Sequence, residues 1–275
     1  MIKSILFPER SFATKSDIGL EIKKNLDDII ALKKAEIYKS CEKGQTISCR
    51  PLDVSKFSDD QNKAFKIDPA YYYIAANTTL VLDSHDDLHV NGIWGKSVKE
   101  QQRKNYLVAD HELCIDDVIV KREYVEMMVA SMPFALLGFD YQGETEVLIY
   151  KVPKDKVIHQ KAKDWLESGD SIEASVRMQY VVIEFALDSN NPEDAKAKER
   201  YDQYFPMIAN KADFEYIPYF FIIKEAKNVR EASLVVFGSN PVTGKINEPA
   251  KVTQEKQDPP LSSQKSKSIY SHFLN

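Results

Sequence analysis

The chain is short of the signals that mark the commoner functional classes. It has only three cysteines, Cys41, Cys49 and Cys114. Three cannot all pair within one chain, and none of their spacings is CxxC. Free thiols in a reducing compartment are therefore the leading expectation, with a Cys41–Cys49 disulfide or a metal site as alternatives. No apolar run approaches the roughly 20 residues that span a bilayer. The apolar part of the opening, Met1 to Glu9, is too short for a secretory signal. Neither GxGxxG nor GxxxxGK[ST] occurs, which removes the usual dinucleotide and nucleoside-triphosphate fingerprints. The net charge of −5 is mild and does not indicate a nucleic-acid binder. No internal repeat is present.

What is there is core-forming material. The 275 residues are 43% hydrophobic, with 14 tyrosines and 13 phenylalanines, enough for one large or two small domains. Ser16 to Cys41 has helical periodicity, with Ser16 and Asp17 as caps and Gly44 as a stop. Residues 45–66 read as a polar loop. Strands are expected at Ala70–Ala76, Thr78–Leu82, Tyr106–Ala109 and Val118–Lys121. Ala135–Phe139 and Glu146–Tyr150 flank Gln142-Gly143-Glu144 as a hairpin. Short charged helices are expected over Gly95–Asn105, over Lys154–Glu167 ahead of Gly169, and from Asn191 to Tyr204. Ser175–Ala186, Phe214–Lys224 and Val229–Phe237 are further strands. After Pro249 the chain turns to Lys, Gln, Ser, Asp and Pro, a composition that predicts a disordered tail. Many strands with few, charged helices favour an α+β, β-rich fold: a mostly antiparallel barrel with helices packed outside.

Three segments carry candidate chemistry. Leu107-Val108-Ala109-Asp110-His111 ends a strand on a histidine. Ser171-Ile172-Glu173-Ala174-Ser175 enters a strand with two serines. Glu231-Ala232-Ser233-Leu234-Val235 opens a strand with a carboxylate and runs to Ser239-Asn240-Pro241. A serine hydroxyl needs a base within hydrogen-bond reach, and the base needs an orienting group, so His111, Ser175 and Glu231 together form the kit for acyl transfer. Taken singly, each is more often a structural histidine, a solvated or hydrogen-bonded serine or a surface acid. Arg177 and Arg230 could bring positive charge to an oxyanion. Asp83, His85, Asp86, Asp87 and His89 include metal-ligand types, but the surrounding Asp, Asn and Gly favour a turn.

These segments, in this order, resemble the prohead maturation proteases of tailed bacteriophages, a family related in fold to the herpesvirus assemblin protease. The resemblance runs over about residues 78–243. It begins in the acidic turn Asp83–Asp87 and passes through Asp110-His111 and the Gly169–Val176 junction. It is strongest at Glu231-Ala232-Ser233-Leu234-Val235 with Ser239-Asn240-Pro241. It implies a herpesvirus-protease-like barrel, and the chain divides into that domain at residues 66–248, an N-terminal helical extension (1–65) and a tail (249–275). It implies His111 as base, Ser175 as nucleophile and Glu231 as the third member, no metal and no cofactor, and a structural turn at Asp83–His89. The expected substrates are scaffold and the major capsid protein precursor, with self-cleavage that could include the tail, inside the procapsid in the host cytoplasm. No nucleic-acid or membrane partner is implied.

The departures from the family pattern are specific. Arg177 stands where a glycine usually follows the nucleophile, and Cys114–Val118 replaces a glycine-containing step. The stretch between Ala186 and Phe214 is an insertion, and the first 65 residues have no counterpart. Ser171 is an alternative nucleophile. A catalytically inactive procapsid component on the same fold, or an unrelated intracellular binding barrel, are the alternatives for the whole chain.

Overall fold

The computed structural model describes residues 1–4, 6–35 and 66–247. Cys41, Cys49, the expected loop at 45–66 and the expected tail lie outside the described residues. The chain opens with a hairpin, β1 (Ile2–Ser4) against β2 (Phe7–Phe12), where sequence patterning showed no strand. The rings of Phe7 and Phe12, at the two ends of β2, lie 5.7 Å apart. Two helices follow, α1 (Lys15–Lys24) and α2 (Leu26–Lys34), in place of the single helix expected. Thr14 and Asp17 close a capping box at the start of α1. Asn25 makes the break. Its side-chain amide takes the Glu21 carbonyl that a continuous helix would give to the Asn25 N–H, and that N–H bonds Ile22 O instead.

The remaining chain builds two sheets. The first centres on a long hairpin, β9 (Glu173–Leu187) antiparallel to β10 (Tyr219–Val235), paired from Tyr219↔Leu187 to Val235↔Glu173. The other edge of β10 is shared end to end by two shorter parallel strands. β4 (Asp87–His89) pairs with Phe221–Ile223, and β5 (Tyr106–Ala109) pairs with Glu231–Leu234. β6 (Val118–Val120) adds to β5. The second sheet is antiparallel: β11 (Gly244–Lys245), β3 (Tyr71–Thr78), β8 (Glu144–Pro153) and β7 (Glu126–Pro133), in that order. Helices α3 (Gly95–Gln101), α4 (Gln160–Ser168) and α5 (Ala195–Tyr204) connect them.

The fold is mixed α+β and β-rich, but the sheets do not close into a barrel. Closure requires every edge to find a partner at a consistent stagger. Here β6 and β9 edge one sheet and β7 and β11 the other, and no ladder among the described residues joins the two sheets. One apolar core instead contains Tyr72, Ile74, Leu148 and Tyr150 of one sheet with Val176, Met178, Ala232 and Leu234 of the other. A second cluster, around Phe220, Ile222, Tyr201 and Ile208, lies beneath α5. Two expected strands, 214–224 and 229–237, are one strand, β10, whose polar middle conceals its continuity. The hairpin before β8 is led by β7 rather than by 135–139, because Phe134–Leu137 wind into a 3-10 turn ended by left-handed Gly138. No helix among the described residues is long and apolar enough to cross a membrane.

Candidate active site

The parallel pairing of β5 with β10 brings two strand ends to one edge of the sheet. Glu231 lies beside Tyr106, Ser233 beside Val108 and Leu234 beside Ala109. Beyond Ala109, Asp110 and His111 both take positive φ, 48° and 62°. The Glu112 N–H returns to Ala109 O at 2.9 Å, closing a reverse turn with the φ pattern of a primed type. Asp110 N–H donates to Leu234 O at 3.1 Å, fastening the turn to β10. His111 is thereby folded back over β10, and its N–H donates to Ser233 Oγ at 3.0 Å.

Glu231 is delivered by a bulge. Asn228 faces Met178 and Ala232 faces Val176, so Val229, Arg230 and Glu231 stand opposite Arg177 alone, with Arg230 at φ 69°. Bulges of this kind re-aim side chains and recur beside active sites. Six non-glycine residues have positive φ among the described residues, and Asp110, His111 and Arg230 are three of them. Each such residue costs on the order of 1–3 kcal/mol, and strain gathered in one place is characteristic of a functional site.

The side chains meet accordingly. His111 Nδ1 lies 2.8 Å from Glu231 Oε1, with the carboxylate fully buried and the imidazole 7% exposed. Glu231 Oε2 accepts the Ser233 hydroxyl at 2.7 Å. Ser233 Oγ is also 3.3 Å from His111 Nδ1, a long contact beside the two shorter bonds it makes. A carboxylate facing Nδ1 places the imidazole proton there, which leaves Nε2 as the basic nitrogen.

Ser175 is the residue directly across the ladder from Ser233. Opposed residues of an antiparallel pair share a face, with Cβ atoms about 4.5–5.5 Å apart. Ser175 therefore belongs to the same face as Ser233 and Glu231, opposite to the face on which Ala174 and Val176 enter the core. It is 4% exposed. The structure thus brings together His111 and Glu231 directly and sets Ser175 in register beside them. Arg177 follows on the same face, buried, about 7 Å along the strand from Ser175. Arg230, at the crest of the bulge, is exposed. Ser171 lies two residues before β9 and is exposed, its carbonyl accepting the Trp165 indole N–H. Cys114 is an exposed free thiol on the loop that follows His111.

A second layer holds the bulge. Asn228 donates from Nδ2 to Glu231 O at 3.2 Å, accepts the Tyr150 hydroxyl at 3.0 Å, and donates its N–H to Ser97 Oγ at 2.8 Å. Burial, and then the negative charge of Glu231, push the Tyr150 phenol well above its ordinary range, so it stays a neutral donor. Ser233 is the member of this cluster that sequence reasoning missed. The Glu231-Ala232-Ser233 spacing puts it on the face of Glu231, but a serine inside an apolar strand reads as packing.

The Asp83–His89 segment is placed elsewhere, beside the opposite end of β10. Asp83 Oδ1 accepts the His85 and Asp87 N–H groups and shapes the turn. Asp87 pairs with Lys33 at 2.6 Å and accepts the Tyr180 hydroxyl at 2.8 Å. His89 meets Asn77 through Nδ1 and Tyr180 through Nε2. Among the described residues no group of three or more His, Cys, Asp or Glu side chains is arranged to hold a metal ion. Comparison with family models, curated proteins and solved structures finds no match for the chain.

Proposed function

We propose that the chain is a serine endopeptidase of prohead maturation, acting on scaffold and on the capsid protein precursor within the procapsid of a tailed phage. The observation that carries this reading is the buried Glu231–His111 hydrogen bond, with Ser175 in register beside it. In the reaction, Ser175 Oγ attacks the scissile carbonyl carbon while His111 Nε2 takes the hydroxyl proton. His111 then gives that proton to the leaving amine. Water repeats the sequence on the acyl-enzyme and regenerates the serine. Glu231 holds the Nδ1–H tautomer and stabilises the imidazolium that forms. Arg177, buried on the Ser175 face, contributes positive charge toward the oxyanion, and exposed Arg230 is less suited to that part. The two open sheets stand in the place of the herpesvirus-type barrel that the resemblance implies. The segment after residue 248 is a candidate for self-cleavage.

An inactive procapsid component on the same fold predicts that His111, Ser175 and Glu231 lie apart. An unrelated binding barrel predicts an apolar pocket at their position. The paired acid and imidazole favour the peptidase over both. The test is intact mass of the full chain incubated at high concentration with its capsid protein, against Ser175→Ala treated identically. Loss of mass from chain or partner with the wild type only supports the reading. Intact partners in both samples, or equal cleavage in both, contradicts it, and equal cleavage makes Ser171 the next residue to replace.

A further inference from the structure

We propose that Ser233 is a positioning residue of this site, setting the orientation of both Glu231 and His111; the proposal rests on the peptidase reading above. Its hydroxyl has one proton and two lone pairs. The proton is committed to Glu231 Oε2 at 2.7 Å, and a lone pair is committed to the His111 N–H at 3.0 Å. The first bond fixes the carboxylate rotamer so that Oε1 points at Nδ1. The second holds the His111 main chain in its left-handed turn over β10. One fully buried side chain thus links the general base to its orienting acid at two points, one on each residue.

The same commitments make Ser233 unfit as the nucleophile, although its Oγ comes within 3.3 Å of the imidazole. Its proton goes to the carboxylate rather than to Nε2, and the residue has no exposed surface for a substrate to reach. Ser175 faces it directly across the ladder and is the serine to which the peptidase reading gives the attack. Two adjacent serines on one face therefore have divided roles, one to react and one to hold.

The test compares the full chain with Ser233→Ala and Ser233→Thr by two readouts. Precursor cleavage gives kcat and KM. Nitrogen-15 histidine NMR reads the Nδ1 proton shared with Glu231 and needs no turnover. Removing one hydrogen bond to a buried charged group predicts a fall in kcat of about ten- to a hundredfold for Ser233→Ala, with KM little changed. The Nδ1 proton resonance should broaden or vanish while amide protection across β9 and β10 persists. Ser233→Thr, which keeps the hydroxyl, should recover both signals. An unchanged Nδ1 resonance and unchanged kcat in Ser233→Ala would overturn the proposal. So would abolition of cleavage by Ser233→Ala with activity retained in Ser175→Ala, which would make Ser233 the nucleophile. If the native chain cleaves nothing, the NMR comparison still decides the positioning role, so failure of the peptidase reading and failure of this one are separable.

Discussion

The two ends of the β9–β10 ladder both bury a histidine, a carboxylate and a hydroxyl, and they do opposite things with them. Near Ile223, His89 is held between the amide of Asn77 and the phenol of Tyr180, and Asp87 is neutralised by Lys33. Trp94 extends the chain by donating to Asn77 Oδ1 at 3.0 Å. Near Ser233, ten residues further along β10, the imidazole faces the carboxylate directly and two consecutive residues are held at positive φ. The first cluster ties α2 to the sheet. The second sets the imidazole directly against a carboxylate, with Ser175 across the ladder from Ser233. A buried polar cluster is thus better classified by what its histidine faces, and by whether its backbone is strained, than by its composition. The Asp83–His89 segment is richer in ligand-type residues than the Asp110–Glu112 segment, yet it is the anchor.

Substitutions on either side should separate catalysis from stability. The largest effect is expected for Glu231→Gln. The amide keeps the shape but offers the wrong hydrogen-bonding group to Nδ1, so kcat should fall by about 10⁴-fold with the melting temperature little changed. The mirror experiment is Lys33→Met, which leaves Asp87 buried without its cation. It should cost about 3–5 kcal/mol, read as a fall of roughly 10 °C in melting temperature, while the folded fraction keeps its cleavage rate. A kcat loss in Lys33→Met, or a large stability loss in Glu231→Gln, would break the contrast.

Smaller effects sharpen it. A Cβ at Gly238 would stand 2.7 Å from Ala174 O, in the backbone next to Ser175. Gly238→Ala should therefore shift β9 at the proposed nucleophile, lowering kcat with a stability cost of about 1–3 kcal/mol. At the other end, burial raises the Asp86 carboxyl above its usual range, against the pull of Lys15, the Tyr219 hydroxyl and Lys33. A folded-state pKa above the unfolded one means that the folded chain binds the proton more tightly. This contribution is therefore favourable below the unfolded pKa and is lost as pH rises through the folded one. Asp86→Asn should stabilise the chain near neutral pH and gain less in acid, as thermal melts across pH would show.

The residues that meet at the candidate site were partly legible in the sequence, and much of the fold was not, for separable reasons. His111 and Glu231 stand at strand ends marked by apolar runs, so their proximity needed only that β5 and β10 be neighbours. Ser233 was hidden because a hydroxyl in an apolar strand has no sequence signature of its contacts. β10 read as two strands because Lys224-Glu225-Ala226-Lys227-Asn228 interrupts the apolar pattern where the strand is bulged and partly exposed. The break at Asn25 depends on a side chain taking a backbone carbonyl, a competition that periodicity does not register. Barrel closure depends on which edges meet, which no local pattern specifies, and here no ladder among the described residues joins the edges of the two sheets.

The central claim is that Ser175 is activated by the His111–Glu231 pair. Its most direct test is labelling with a fluorophosphonate, whose fluoride is displaced only by an activated serine, followed by peptide mass mapping. The account predicts a single adduct on Ser175, absent from Ser175→Ala and greatly slowed in Glu231→Gln. No adduct on the native chain, or an adduct on Ser171 or Ser233, would contradict it.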